Sequence, residues 1–366
     1  MLFLRIRNTP CLKGSGVRLF FCLLMFLLAG FWTLSGTPGF FSRAEAAGFG
    51  VPLPPWGPDD EAGNTNTQGR ITYARAALHL LRPDAKSYRL AHLYSDTMPQ
   101  SPFGTPLTVT HKETQFLPFT SHGANGEEIC GGIAEQGTQM DALGHFAHRP
   151  LGGEDVFYYN GFTQEEVVGP DGLQRLGIEK YKPIITTFTL LDAVAHNGGV
   201  PLEAGEQVTT DDIKAMLRRQ HLPALQPGDV LFIYTGWSQK WQDENPNPLF
   251  TEYYSKGPGL SPDAALYLED KVIALVGLDN PFTDAVPDGF LQNGFPPPAG
   301  TPPDLPFFIH HHNLTQAGIA QIQNVKLDEL IADQVYRGAI FIFPLQIAGG
   351  AGSPVTPVAV GGPWFF

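Results

Sequence analysis

The chain has 366 residues, room for one large domain or two medium ones, and 43% of them are hydrophobic while 16% are charged. That share supports a sizeable core, whereas Gly 41 and Pro 33 argue for a loop-rich fold and against a helical bundle. The formal charge is -13, and no basic cluster follows residue 46, which argues against nucleic-acid binding.

Residues 1–46 read as an export signal. Arg5, Arg7, Lys13 and Arg18 form a basic start, and Leu19 to Trp32 is an uncharged apolar run. Ala44-Glu45-Ala46 then offers small residues where a signal peptidase cuts. The run is 14 residues long, short for a membrane span of roughly 20. An uncleaved anchor reaching Phe41 is the competing reading. Cleavage removes five basic residues and one acid, leaving 18 Lys and Arg against 35 Asp and Glu, a formal charge of -17. The expectation is a periplasmic or secreted domain, residues 47–366, with no stable membrane association.

Residues 47–70 read as an irregular lead-in, Pro-rich and then polar. Ile71 to Leu81 has apolar residues at helical spacing, and Pro83 stops it. Leu107 to His111 alternates as a short strand, and Gly123 to Gly132 is a glycine-rich approach. Ile184 to Leu191 is a β-branched strand pattern closed by Asp192. Thr209-Thr210-Asp211-Asp212 starts a helix before Ile213 to Leu217. Val230 to Tyr234 is a buried-strand run, Ser261-Pro262-Asp263 starts a helix reaching Asp270, and Val272 to Leu278 is another strand. Leu327 to Val335 reads as helix and Ile340 to Ile347 as the last strong strand. Strands alternating with helices at this spacing predict an α/β domain.

Chemistry concentrates in Glu135-Gln136-Gly137-Thr138-Gln139-Met140-Asp141-Ala142-Leu143-Gly144-His145. The stretch packs two carboxylates, amides and an imidazole into eleven residues, a donor set suited to a metal and to a base beside it. Asp141 and His145 are four apart and share a face if the segment is helical. The alternative is a Gly-Thr turn with Asp141 capping a helix. His310-His311-His312 is a ligand source or a solvated loop. Gly349 to Pro354 lacks the Lys-Ser/Thr of a phosphate loop and reads as a tight turn after a strand.

These segments together resemble the cyclase/arylformamidase family of metal-dependent hydrolases, which includes kynurenine formamidases and isatin hydrolase. That family carries His-x-Gly-Thr-His-x-Asp-x-x-x-His, and the chain has Gly137-Thr138, Asp141 and His145 at the matching spacing. Trp56-Gly57-Pro58-Asp59-Asp60 through Asn66, Leu190-Leu191-Asp192, Gly228-Asp229 through Trp237, and Val276-Gly277-Leu278-Asp279 extend the match. Gly318-Ile319, Gln323-Asn324, Pro344-Leu345 and Gly352-Ser353-Pro354-Val355 complete it, over roughly residues 51–360.

The resemblance implies a single α/β domain with a barrel-like mixed sheet flanked by helices, assembled as a homodimer or homotetramer. It also implies hydrolysis of an amide, formamide or lactam C–N bond of a small substrate with a divalent metal ion. His145 takes the proton-transfer position. Three departures stand out: Glu135 and Gln139 occupy the two histidine positions, and Gln323 stands where a glutamate is usual. Candidate ligands are therefore Glu135, Gln139, Asp141, His310, His311 and Gln323. This oxygen-rich set shifts preference from zinc towards manganese or magnesium. Trp56, Phe146 and Trp237, with Phe116 and Phe119, are candidate walls for an aromatic substrate. The alternatives are a lactone or ester hydrolase using the same parts, and a binding protein without turnover.

Overall fold

A computed structural model of the protein describes residues 55–245, 252–293 and 297–364; the leader and the first part of the lead-in lie outside them. In chain order the strands of three or more residues are β1 (Lys86–Arg89), β2 (Thr108–Phe116), β3 (Gly123–Cys130), β4 (Gln139–Asp141), β5 (Ile184–Asp192) and β6 (Val230–Tyr234). They continue with β7 (Leu275–Leu278), β8 (Ala320–Gln323), β9 (Arg337–Ile342), β10 (Gly352–Pro354) and β11 (Val358–Gly361). The longer helices are α1 (Arg70–Leu80), α2 (Thr210–Arg219) and α3 (Pro262–Asp270).

Nine strands form one mixed sheet in the order β1-β11-β9-β5-β6-β7-β8-β4-β10, curled into a half-barrel and flanked by helices. The central neighbours β5, β6, β7 and β8 run parallel, and the pairings on either side are antiparallel. Parallel strands need both faces covered, which explains why Val230–Tyr234 is continuously apolar rather than alternating. Val230 and Phe232 face one core cluster with Phe188 and Met140, while Leu231 and Ile233 face another with Ile213 and Leu268. The second cluster lies under α2 and α3. Thr209 starts α2 by accepting Asp212 N–H, and Ser261 starts α3 by accepting Ala264 N–H.

Several boundaries move. β7 begins at Leu275, because Val272 adopts φ 51° in a turn and leaves the strand pattern. β9 spans Arg337–Ile342, starting before the predicted Ile340 and stopping short of Pro344. The helix predicted over Leu327–Val335 shrinks to Asp328–Ala332. Helix α1 buries Thr72 and Ala76 and leaves Ile71, Leu78 and Leu81 exposed, the reverse of what its apolar spacing implies. Small residues let it lie close on β5 and β9, where Arg75 reaches the buried Asp229 at 3.2 Å. Arg337 approaches the same carboxylate at 3.6 Å, and Thr187 donates to it at 2.5 Å.

The glycine-rich approach turns out to be a strand. β2 and β3 pair as an antiparallel ribbon exposed on both faces, with a bulge between Lys112 and Gln115. Phe116 and Phe119 sit at its tip, exposed to solvent.

Candidate active site

The Gly137-Thr138 step is a clamp that aims the residues after it. Gly137 has φ 58°, and a Cβ there would meet the Tyr94 ring at 2.5 Å, so only glycine fits. Tyr254 OH accepts Gly137 N–H at 3.1 Å, and Asn324 donates its amide to Gly137 O at 2.6 Å. Thr138 Oγ1 donates to Asn324 O at 2.6 Å and accepts His92 N–H at 3.0 Å. These bonds fix the entry to β4.

On β4 side chains alternate. Met140 enters the core opposite Ile322, while Gln139 and Asp141 share the other face with Gln321 and Gln323 of β8. The registers are Gln139 to Gln323 and Asp141 to Gln321. Asp141 therefore ends a strand, and His145 ends a tight turn over Leu143–His145; the shared helical face does not exist. Alternation on a strand brings Gln139 and Asp141 together, and the turn delivers His145 to the same place.

These residues meet at a cavity of about 320 Å³ lined by Glu135, Gln139, His145, His310, Gln323 and aromatic groups including Phe146. Asp141 is buried and does not line the cavity itself; it meets the lining through Gln323 and His310. Gln323 donates to Asp141 Oδ2 at 2.6 Å, and His310 Nε2 stands 3.5 Å from Gln323 Nε2 and 3.6 Å from Asp141 Oδ2. Three buried oxygens here receive no hydrogen bond: Gln139 Oε1, Asp141 Oδ1 and Gln323 Oε1. Buried acceptors without donors are costly; Gln139 and Gln323 line the cavity and Asp141 is bonded to Gln323, so this group suits a cation or a donor-rich ligand.

His145 Nδ1 is 3.6 Å from Glu135 Oε1, and its ring centroid is 6.4 Å from that of His310. Burial pushes the Glu135 carboxyl above its ordinary range and Asp141 adds to this, while His145 and His310 oppose it. Burial works against charge on His310, yet its pKa is raised, because Asp284 hydrogen-bonds the ring and the Asp284, Asp141 and Glu135 charges favour the imidazolium.

The three consecutive histidines separate cleanly. They sit on the helical turn Phe308–His311 and the π-helical turn His312–Ala317 that continues it. Only His310 among them lines the cavity. His311 packs against His148 with ring centroids 4.9 Å apart, and its pKa falls to about 4 through burial and then the His148 and His312 charges. His312 stacks on Phe308 and faces Glu269 at 3.1 Å. A helix turns about 100° per residue, so one of three neighbours points inward.

Neither candidate tryptophan lines the cavity. Trp237 is buried with Tyr253 and Tyr254 and donates its indole N–H to Tyr253 O. Trp56 donates to Asn64 Oδ1. The nearby Asp60 accepts Ala62 N–H, Gly63 N–H and Tyr159 OH, so this opening segment serves the scaffold. The aromatic walls are instead Phe103, Phe146, Phe282 and Phe307. Phe282 and its neighbours Thr283 and Asp284 follow β7 at its carboxyl end, where parallel sheets commonly bind ligands; that position was the available signal.

Among the described residues no three His, Cys, Asp or Glu side chains are placed to hold an ion by themselves. An ion held here would need amide oxygens as well. Asp141 with the unpaired oxygens of Gln139 and Gln323 and with His310 Nε2 is a donor set of mostly hard oxygen, whose chemistry fits a divalent cation.

A curled mixed sheet with a carboxylate, two imidazoles and two amides gathered near the carboxyl ends of its central parallel strands defines a class. The chain belongs to the Cyclase family, whose profile matches residues 88–285. It is similar to the crystal structure of a novel cyclase, at 26% identity and TM-score 0.69, covering 83% of this chain and 97% of the other. It shares its fold with isatin hydrolase A from Ralstonia solanacearum, at 19% identity and TM-score 0.52, covering 81% and 98%. Isatin hydrolase A from Labrenzia aggregata, bound to benzyl benzoate, matches at 16% identity and TM-score 0.53, covering 78% and 97%. No curated protein sequence matches.

Proposed function

We propose that the protein is an exported hydrolase that cleaves an amide, formamide or lactam C–N bond of a small aromatic substrate with the help of a divalent metal ion. The observation that carries this reading is the group of three donor-less oxygens on Gln139, Asp141 and Gln323 beside His145 and His310. Asp141, Gln139, Gln323 and His310 would hold the ion, with Glu135 at the margin. When bound, such an ion acidifies water and polarises a carbonyl.

The chain's own groups supply the rest. Phe103, Phe146, Phe282 and Phe307 hold an aromatic ring and keep bulk water out. Glu135 faces His145 Nδ1 and orients its ring. His145 then accepts a proton from the attacking water as the new C–O bond forms. It returns that proton to the departing nitrogen as the C–N bond breaks, releasing an acid and an amine.

The deciding experiment uses purified residues 47–366. Metal content is measured by elemental analysis, and turnover is assayed on formamides, lactams and lactones with and without chelator. Chelator-sensitive cleavage of C–N substrates is expected. Preferential lactone cleavage selects the ester reading, and ligand binding without turnover on any member selects the binding-protein reading.

A further inference from the structure

We propose that Asp284 is a positioning residue that fixes the tautomer and aim of His310; the consequence for metal affinity rests on the metal site proposed above. Asp284 is buried, follows β7, and among the described residues hydrogen-bonds His310 but no other candidate ligand. Its Oδ2 lies 2.5 Å from His310 Nδ1 and accepts His310 N–H at 3.2 Å, and its Oδ1 accepts Ile309 N–H at 2.6 Å. One carboxylate therefore anchors both the start of the helical turn and the ring it carries.

A carboxylate can only accept, so Nδ1 must carry a proton. In the neutral ring that leaves Nε2 with its lone pair, turned towards Asp141 at 3.6 Å and Gln323 at 3.5 Å. Without Asp284 either nitrogen can hold the proton, and the ring is free to turn towards Phe146 or Phe307. The placement of Asp284 is itself built in. Its backbone lies 2.1 Å from where a Cβ on Gly259 would stand, and it bridges in parallel to Leu260.

The test combines ¹⁵N-histidine NMR of the metal-free protein in alkaline solution with Mn²⁺ titration. The His310 signal is assigned by its loss in His310→Gln. The unaltered chain should show His310 protonated at Nδ1. Asp284→Ala should lose that single tautomer and weaken Mn²⁺ binding on the order of 100-fold, whereas Asp284→Asn, which still offers an acceptor, should keep the tautomer and lose on the order of tenfold. A folded Asp284→Ala that retains the tautomer overturns the proposal. If Asp284→Ala does not fold, Asp284→Asn binding Mn²⁺ as tightly as the unaltered chain overturns it. Should the unaltered chain bind no Mn²⁺, the metal reading falls, and the tautomer comparison alone decides the role of Asp284.

Discussion

Gln323 donates its amide N–H to Asp141 Oδ2 at 2.6 Å, while Gln323 Oε1 and the second Asp141 oxygen, Oδ1, receive no donor. A hydrogen bond thus ties together two groups whose remaining acceptors stay unsatisfied. Replacing the amide by a carboxylate probes what those acceptors await. Gln323→Glu should be destabilised by about 1–3 kcal/mol in chelator, from a second buried acceptor set against Asp141. Added Mn²⁺ should restore its thermal midpoint above that of the unaltered chain. Absence of rescue by Mn²⁺, Mg²⁺ or Zn²⁺ would remove the cation from this site.

Asp141 and His145 should separate in role. Asp141→Asn removes the main compensating charge, so metal content should drop. His145→Ala should leave metal content near that of the unaltered chain while turnover falls roughly 10²–10⁴-fold, as for loss of a general acid–base group. Full occupancy in Asp141→Asn, or undiminished turnover in His145→Ala, places the chemistry elsewhere.

A structural prediction concerns Asp229. It is fully buried between Arg75 and Arg337 and anchors α1 to the sheet. Asp229→Ala leaves the buried Arg337 without its counter-charge and should cost about 3–5 kcal/mol in chemical denaturation. A loss below about 1 kcal/mol would show that water reaches the cluster.

Acid should weaken the fold through histidines outside the cavity. Burial, with Arg337 and Arg82 adding to it, holds His79 at about 4, and burial also holds His92 at about 4. Unfolded histidine titrates near 6.5, so below that pH the unfolded chain binds protons that the folded chain refuses. Their contribution is complete above about pH 6.5 and is lost as pH falls towards 4. Urea midpoints measured at pH 7.5, 6 and 5 should decline in that order, with a shallower decline in His92→Gln.

Export predicts a mature N-terminus at Ala47. N-terminal sequencing of protein recovered from the periplasm or medium checks it, and exported material still beginning at Met1 removes the cleavage site.

Much of the architecture was legible because its signals are local. Val230–Tyr234 reads as a buried strand from its unbroken apolar run, and Thr209 and Ser261 announce helices through their side-chain oxygens. The ribbon of β2 and β3 was only half legible, since its polar residues face water on both sides and carry no burial pattern.

The sequence by itself determined the donor inventory of the site. Gly137-Thr138, Gln139, Asp141 and His145 lie close enough along the chain that any compact backbone keeps them neighbours. Tertiary structure alone decided the rest. The choice of His310 over His311 and His312 for the cavity depends on the rotation of one helical turn, anchored by Asp284 26 residues earlier. The exclusion of Trp56 and Trp237 from the cavity, and the entry of Phe103 from the segment between β1 and β2 and of Phe282 and Phe307 from the segment between β7 and β8, depend on how those distant segments pack together. Such contacts carry no periodicity along the chain, because residues far apart in sequence become neighbours only when strand order and register place them so.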